Sequence, residues 1–269
     1  MLVRVFLSCF IAALAGPAVA EPVRSGQAAV EWISGSTAYA AGKPIHTGVR
    51  VTIDEGWHTY WINPGEAGEK LAVEWELPAG WTASGISFPV PKRFLTGELP
   101  GYGYEHEVIF PVTITPPKGA AGPVELAAKV SWLTCNNASC VPGKAELKLA
   151  LGGGDPAASS DTAEAISKAE SQVPKTAAGV KLVVRESGKL LNLSLSLPSS
   201  SKLDPPGSEV FPETLQAVDH YQPIRFQKTG PTWSATVKKS EYAEGPLKEL
   251  KLVLAKSGTP PVEVIWKAP

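Results

Sequence analysis

The chain has 269 residues, with 25 Lys and Arg against 26 Asp and Glu and a formal net charge of −1 at neutral pH. That balance excludes the basic footprint of a nucleic-acid binder and gives no attraction to an anionic membrane surface. Three cysteines are too few for a disulfide scaffold, while 25 Gly and 25 Pro among short β-branched and aromatic runs favour an all-β chain over a helical one.

Residues 1–20 read as an export signal. Arg4 supplies the positive start, residues 5–14 are an apolar run, and Ala18-Val19-Ala20 is a small-residue cleavage site before Glu21. Cleavage removes Arg4, leaving 24 basic against 26 acidic groups and a charge of about −2. Cys9 lies inside the apolar run with no useful positive region ahead of it, so it does not read as a lipidated N-terminal cysteine. No later stretch approaches the roughly 18 apolar residues of a membrane span. The expected mature chain is exported and makes no direct membrane insertion.

Alternating segments then predict strands at residues 28–33, 45–53, 72–77, 108–114, 124–133 and 144–151. Turn signals such as Asp54-Glu55-Gly56 and Pro78-Ala79-Gly80 separate them, and this spacing predicts a β-sandwich over residues 21–154. Residues 155–176, rich in Ala, Ser, Asp, Glu and Lys, read as a linker. It carries a short helix at 161–172, capped by Asp161 or a nearby Ser. Further strands at 181–186, 189–197, 224–227, 232–238, 247–255 and 262–267 predict a second, smaller β-sandwich-like domain over residues 177–269.

Loss of the signal leaves Cys135 and Cys140 as the only thiols. Residues 130–134 read as a strand, 136–139 as a tight loop, and Val141-Pro142-Gly143 leads into the next strand. Such a turn brings the two Cα atoms within the roughly 4.4–6.8 Å that a disulfide needs. Closing so short a ring contributes only about 2 kcal/mol by chain entropy, and a domain of this size does not depend on it. Two readings therefore stay open: a structural disulfide, or an exchange pair in which one thiolate attacks a partner disulfide and its neighbour resolves the mixed species. The C-x₄-C spacing does not allow the thioredoxin C-x-x-C argument to be borrowed.

A third reading is metal handling. Soft thiolates suit Cu(I), with His58 or His106 as a further ligand, but His46, His58, His106 and His220 are scattered rather than spaced as i, i+4 pairs. Glu74 and Glu76 alternate with Val73, Trp75 and Leu77 as the wet face of a strand. Glu105 and Glu107 are candidates for tuning a thiol. Trp57, Trp61, Trp75 and Trp81 fit either sugar stacking or sandwich packing. No Ser/His/Asp order, P-loop or dinucleotide fingerprint is present.

Four blocks occur in order: Gly56-Trp57-His58-Thr59-Tyr60-Trp61-Ile62-Asn63-Pro64-Gly65-Glu66-Ala67-Gly68; Phe88-Pro89-Val90-Pro91-Lys92-Arg93; Gly101-Tyr102-Gly103-Tyr104-Glu105; and Trp132-Leu133-Thr134-Cys135 with Cys140-Val141-Pro142. Together they resemble the periplasmic N-terminal domain of the DsbD/ScsB thiol:disulfide interchange family over residues 28–151. Phe211-Pro212 is more faintly similar to the extra β domain of the ScsB branch. The resemblance implies an immunoglobulin-like sandwich in the periplasm, with a redox cysteine pair and no cofactor. It implies electrons drawn from a membrane-embedded reductase and passed to thioredoxin-fold or other exported thiol proteins. It also implies Cys140 as nucleophile, Cys135 as resolving partner, and a cap over residues 94–104 with Phe94, Tyr102 and Tyr104 as cap or substrate-binding residues. The same aromatics read equally well as ordinary sandwich core.

The sequence contains neither the family's transmembrane conduit nor a C-x-x-C thioredoxin domain, so the reductase is expected to be a separate protein. ScsB-like proteins are linked to copper tolerance, which does not by itself make this chain a copper binder. The rival from another class is a non-catalytic binding or assembly module with a structural disulfide.

Overall fold

The computed structural model describes residues 21–155 and 160–269, so the expected export signal and Cys9 lie outside the described residues. The first half holds β1 (Val23–Ser25), β2 (Ala28–Ser34), β3 (Ala38–Tyr39), β4 (Ile45–Ile53), β5 (His58–Gly65) and β6 (Ala72–Glu76). It continues with β7 (Thr82–Ala83), β8 (Lys92–Thr96), β9 (Leu99–Glu105), β10 (Glu107–Thr115), β11 (Val124–Cys135) and β12 (Cys140–Gly153). Helix α1 (Ser160–Ser171) follows, within a residue of its expected place at both ends. The second half holds β13 (Lys175–Thr176), β14 (Lys181–Ser187), β15 (Leu190–Ser196), β16 (Glu209–Pro212), β17 (Gln227–Thr229), β18 (Thr232–Lys238), β19 (Glu249–Ala255) and β20 (Val262–Lys267).

Two sheets make the first sandwich. One has the order β1-β2-β4-β10-β7; the other runs β3-β12-β11-β5-β9-β8, with β6 also paired to β11. Alternation decides which face each strand buries. In β11, Leu126, Ala128, Val130 and Trp132 point inward, and in β12 Ala145, Leu147, Leu149 and Leu151 do the same while Lys144, Glu146 and Lys148 face water. From the opposite sheet Val49, Val51, Phe110, Val112 and Ile114 complete one core. Each such side chain contributes roughly 1.5–3 kcal/mol by leaving water. Helix α1 docks on the outside, with Ile166 packed between Ile33 and Ile109.

The second sandwich pairs the sheets β13-β20-β19-β16 and β14-β15-β18-β17 around Leu191, Leu193, Leu195, Phe226, Leu250, Leu252 and Leu254. The strand expected at 224–227 lies later, at β17, because Ile224 and Phe226 are buried in this core by a segment that has not yet joined the ladder.

The two sandwiches meet through β5 and β9. Phe211 and Val253 of the second belong to the first core, and Phe211 lies 6.3 Å from Trp61 and 5.7 Å from Tyr102, centroid to centroid. Buried Asn63 closes the junction, its amide donating to the carbonyls of Pro212 at 2.8 Å and Thr214 at 3.3 Å. Among the described residues no helix is long and apolar enough to cross a membrane.

Candidate functional site: a disulfide beneath a β-hairpin

Strands β11 and β12 form one long hairpin, and its last paired residues are Cys135 and Cys140. Alternation along two facing strands places both sulfurs on the same face, and they are joined with Cα atoms 4.1 Å apart. Asn136 shapes the loop between them: its side-chain oxygen accepts the N–H groups of Ala138 at 2.8 Å and Ser139 at 2.9 Å. Such an Asx arrangement is why Asn suits this position. The two cysteines are not equivalent, since Cys135 is 0% exposed whereas Cys140 is exposed to solvent.

Strand β5 runs along the other side of β11, and His58 is the register partner of Cys135. The imidazole is buried. Its Nε2 lies 3.0 Å from the Thr96 hydroxyl and 3.3 Å from the Tyr60 hydroxyl, so two strands converge on one ring nitrogen. Phe94 stacks on the imidazole at 3.9 Å between centroids and reaches Tyr60 at 5.8 Å. Burial pushes His58 down to about 4, with the Glu105 carboxylate acting the other way. Burial likewise raises the Tyr60 phenol.

Phe94 and Thr96 belong to β8, which turns through Gly97-Glu98 into β9. The turn meets the cysteine loop: a Cβ at Gly97 would sit 4.0 Å from the Asn137 carbonyl. Leu95 and Leu99, 57% and 40% exposed, stand at the tip of this hairpin on its two faces, Leu99 as the register partner of Thr96.

The structure separates the three aromatics of the 94–104 segment. Phe94 sits over the neighbour of Cys135. Tyr102 faces the second sandwich, its hydroxyl 3.2 Å from Nδ1 of His220, and Tyr104 faces the first core, donating to the Pro89 carbonyl at 2.7 Å with its ring against Phe110. Glu105 lies opposite His58 in the ladder and 3.7 Å from Lys92, while Glu107 turns toward Arg50 at 3.8 Å. His106 is exposed, 3.7 Å from Glu55, and His46 pairs with Glu170 at 2.6 Å on helix α1. Among the described residues no three His, Cys, Asp or Glu side chains gather as a metal site. Trp61 is core, and Trp75 and Trp81 pack on Trp32 and Tyr39.

On sequence alone, His58 stands with the cysteines only as an alternative to His106 in a metal site, and Tyr60 and Thr96 are not joined to them. The i, i+2 spacing of His58 and Tyr60 within one block was the available signal, since it puts both on one face of a strand. His58 and His220 share one consequence. Both are driven to about 4 from an ordinary 6.5, chiefly by burial; Arg93 also lowers His220, and Asp219 opposes. The unfolded chain therefore binds protons that the fold refuses. Their contribution is complete above about pH 6.5 and is lost as pH falls toward about 4. The urea midpoint is expected to drop between about pH 6.5 and 5, and a His58→Gln, His220→Gln double variant to flatten that limb. Parallel profiles for parent and variant would contradict this assignment.

A family model described as thiol:disulfide interchange protein DsbD, N-terminal, matches residues 29–151. Among solved structures, the N-terminal periplasmic domain of ScsB from Proteus mirabilis is similar, with a TM-score of 0.66 and 21% identity over 90% of this chain and 93% of that chain. That likeness covers both sandwiches and is one of fold. No curated protein matches the chain.

Proposed function

We propose, from the match of residues 29–151 to the DsbD N-terminal family model, that this chain is an exported thiol:disulfide exchange protein working through Cys135 and Cys140. The observation that carries the reading is the asymmetry of the pair: one sulfur-bearing residue exposed at a hairpin end, the other fully buried beside it. In the reduced protein the Cys140 thiolate attacks a sulfur of the partner's disulfide. A Cys140–partner bond forms, and the partner's second sulfur leaves as a thiolate. Cys135, deprotonated at that stage, then attacks Cys140 Sγ, closing the intramolecular disulfide and releasing the partner's first sulfur. Two electrons and two protons pass to the partner, and the chain is left oxidised.

A dithiol donor must return those electrons, and a membrane-embedded reductase is the proposed source. Thioredoxin-fold exported proteins are the proposed acceptors. The exposed apolar side chains of Leu95 and Leu99 at the hairpin tip, beside the cysteine loop, support docking of such a partner, and Phe94 is the proposed cap residue. The exchange unit is proposed as residues 21–154, with residues 177–269 as a separate domain.

The test is the equilibrium potential of the pair in the full mature chain, by glutathione titration with mass-based thiol counting. A value of roughly −180 to −270 mV is expected for an exchange protein. A value below about −300 mV would mark a structural disulfide and overturn the proposal.

A further inference from the structure

The β8–β9 hairpin, which packs on His58, the register partner of Cys135, is held from behind by the second sandwich. Successive residues of a strand face opposite sides, so Phe94 turns to His58 while Arg93 turns away from it. The Arg93 guanidinium donates to the backbone carbonyl of His220 and lies 5.6 Å over the ring of Tyr102, its register partner on β9. His220 is only 3% exposed; its Nδ1 meets the Tyr102 hydroxyl at 3.2 Å, and its N–H reaches Glu66 at 3.4 Å. Phe211 closes the other side of Tyr102. Second-sandwich contacts thus fall on β5 and β8, the strands that supply His58, Phe94 and Thr96, and on β9, which pairs with both.

Resting on the exchange reading above, we propose that the second sandwich is a brace: through Arg93, His220 and Tyr102 it holds the β8–β9 hairpin down on the cysteine pair and so sets how readily a thiol reaches the disulfide. Arg93, His220 and Tyr102 are positioning residues in this scheme. A hydrogen bond from a charged donor is among the stronger local contacts, so its loss raises the fraction of time the hairpin is lifted. When lifting is fast relative to attack, the rate of disulfide opening follows that fraction, while the equilibrium between oxidised and reduced forms does not.

The experiment uses the full mature chain and compares the parent with Arg93→Met, Arg93→Lys and Tyr102→Phe. The readouts are the rate of reduction of the disulfide by glutathione, its equilibrium potential, and amide hydrogen exchange over residues 92–101 of the oxidised protein. Arg93→Met is expected to speed both reduction and exchange about tenfold, Tyr102→Phe about threefold, with the potential unmoved. Arg93→Lys, which keeps a charged donor, is expected to stay near the parent. Unchanged rates in Arg93→Met and Tyr102→Phe would overturn the brace, as would a rate change matched by an equal change in potential. If Arg93→Met does not fold, Tyr102→Phe, which removes a single hydroxyl, decides the question alone. The rate ratio is measurable whatever the absolute potential, so failure of the exchange reading and failure of the brace are told apart.

Discussion

Cys140→Ser is expected to lower exchange with a disulfide-bonded thioredoxin-fold protein by at least about 10³-fold, while Cys135→Ser is expected to trap a one-to-one mixed disulfide. The two variants lose the same crosslink, so each gives up the same contribution of about 2 kcal/mol, and stability does not distinguish them. Accessibility does. In Cys140→Ser the remaining sulfur belongs to a residue with no exposed surface, beside His58, whose ring Phe94 covers. An incoming disulfide has no straight line of approach to it. In Cys135→Ser the remaining thiolate stands at the exposed end of the hairpin, free to attack but without the neighbour that completes the transfer. Intact mass measured under non-reducing conditions after mixing with the oxidised partner reads the difference directly. Adduct from Cys140→Ser alone would reverse the assigned order, equal accumulation by both variants would abolish it, and no adduct from either would leave the pair without an exchange role.

Gly103→Ala is expected to cost about 3 kcal/mol or more and to open the site with it. Gly103 pairs with Tyr60 of β5 on one side and Lys92 of β8 on the other. A Cβ there would lie 1.9 Å from the Thr59 carbonyl oxygen and 2.9 Å from the Tyr60 Cα. Both are backbone atoms in the middle of a ladder and cannot move aside as a flexible side chain can. The β5–β9 pairing must separate instead, taking Tyr60, His58 and the hairpin with it. Gly119→Ala is the control, since nothing lies within 4 Å of its Cβ position, and it is expected to stay within about 0.5 kcal/mol of the parent. Urea unfolding followed by tryptophan fluorescence gives both values. A Gly103→Ala variant as stable as the control would mean that β5 and β9 are not paired as described.

The same close approach explains why part of the site could not be read from the chain. Strands such as 45–53, 232–238 and 262–267 were legible to the residue because apolar and polar side chains alternate along them. The β11–β12 hairpin was legible on the same ground, with four loop residues between two alternating runs leaving little choice about which residues face each other. β5, β8 and β9 carry Gly, Pro and aromatic residues without a simple period, and the β5–β9 register shifts between Tyr60 and Gly65. Such strands become strands only against a partner. Gly68 shows the cost of that irregularity: its φ is +110°, and a Cβ there would strike the Tyr60 ring at 2.3 Å.

By itself, then, the sequence determined an all-β chain, one short helix near its expected place, and two cysteines brought face to face by the strands that carry them. These follow from contacts a few residues apart, where the period of a strand and the length of a turn are sufficient constraints. Tertiary structure alone decided which cysteine is buried, that His58 rather than another histidine stands beside it, and that Phe94 covers this corner while Tyr102 and Tyr104 turn elsewhere. It also decided that the second sandwich grips the cover. The contacts responsible join residues far apart in the chain, such as Arg93 with His220 across 127 positions and Asn63 with Pro212 across 149. No local pattern encodes a partner at that distance; packing complementarity between whole sheets selects it.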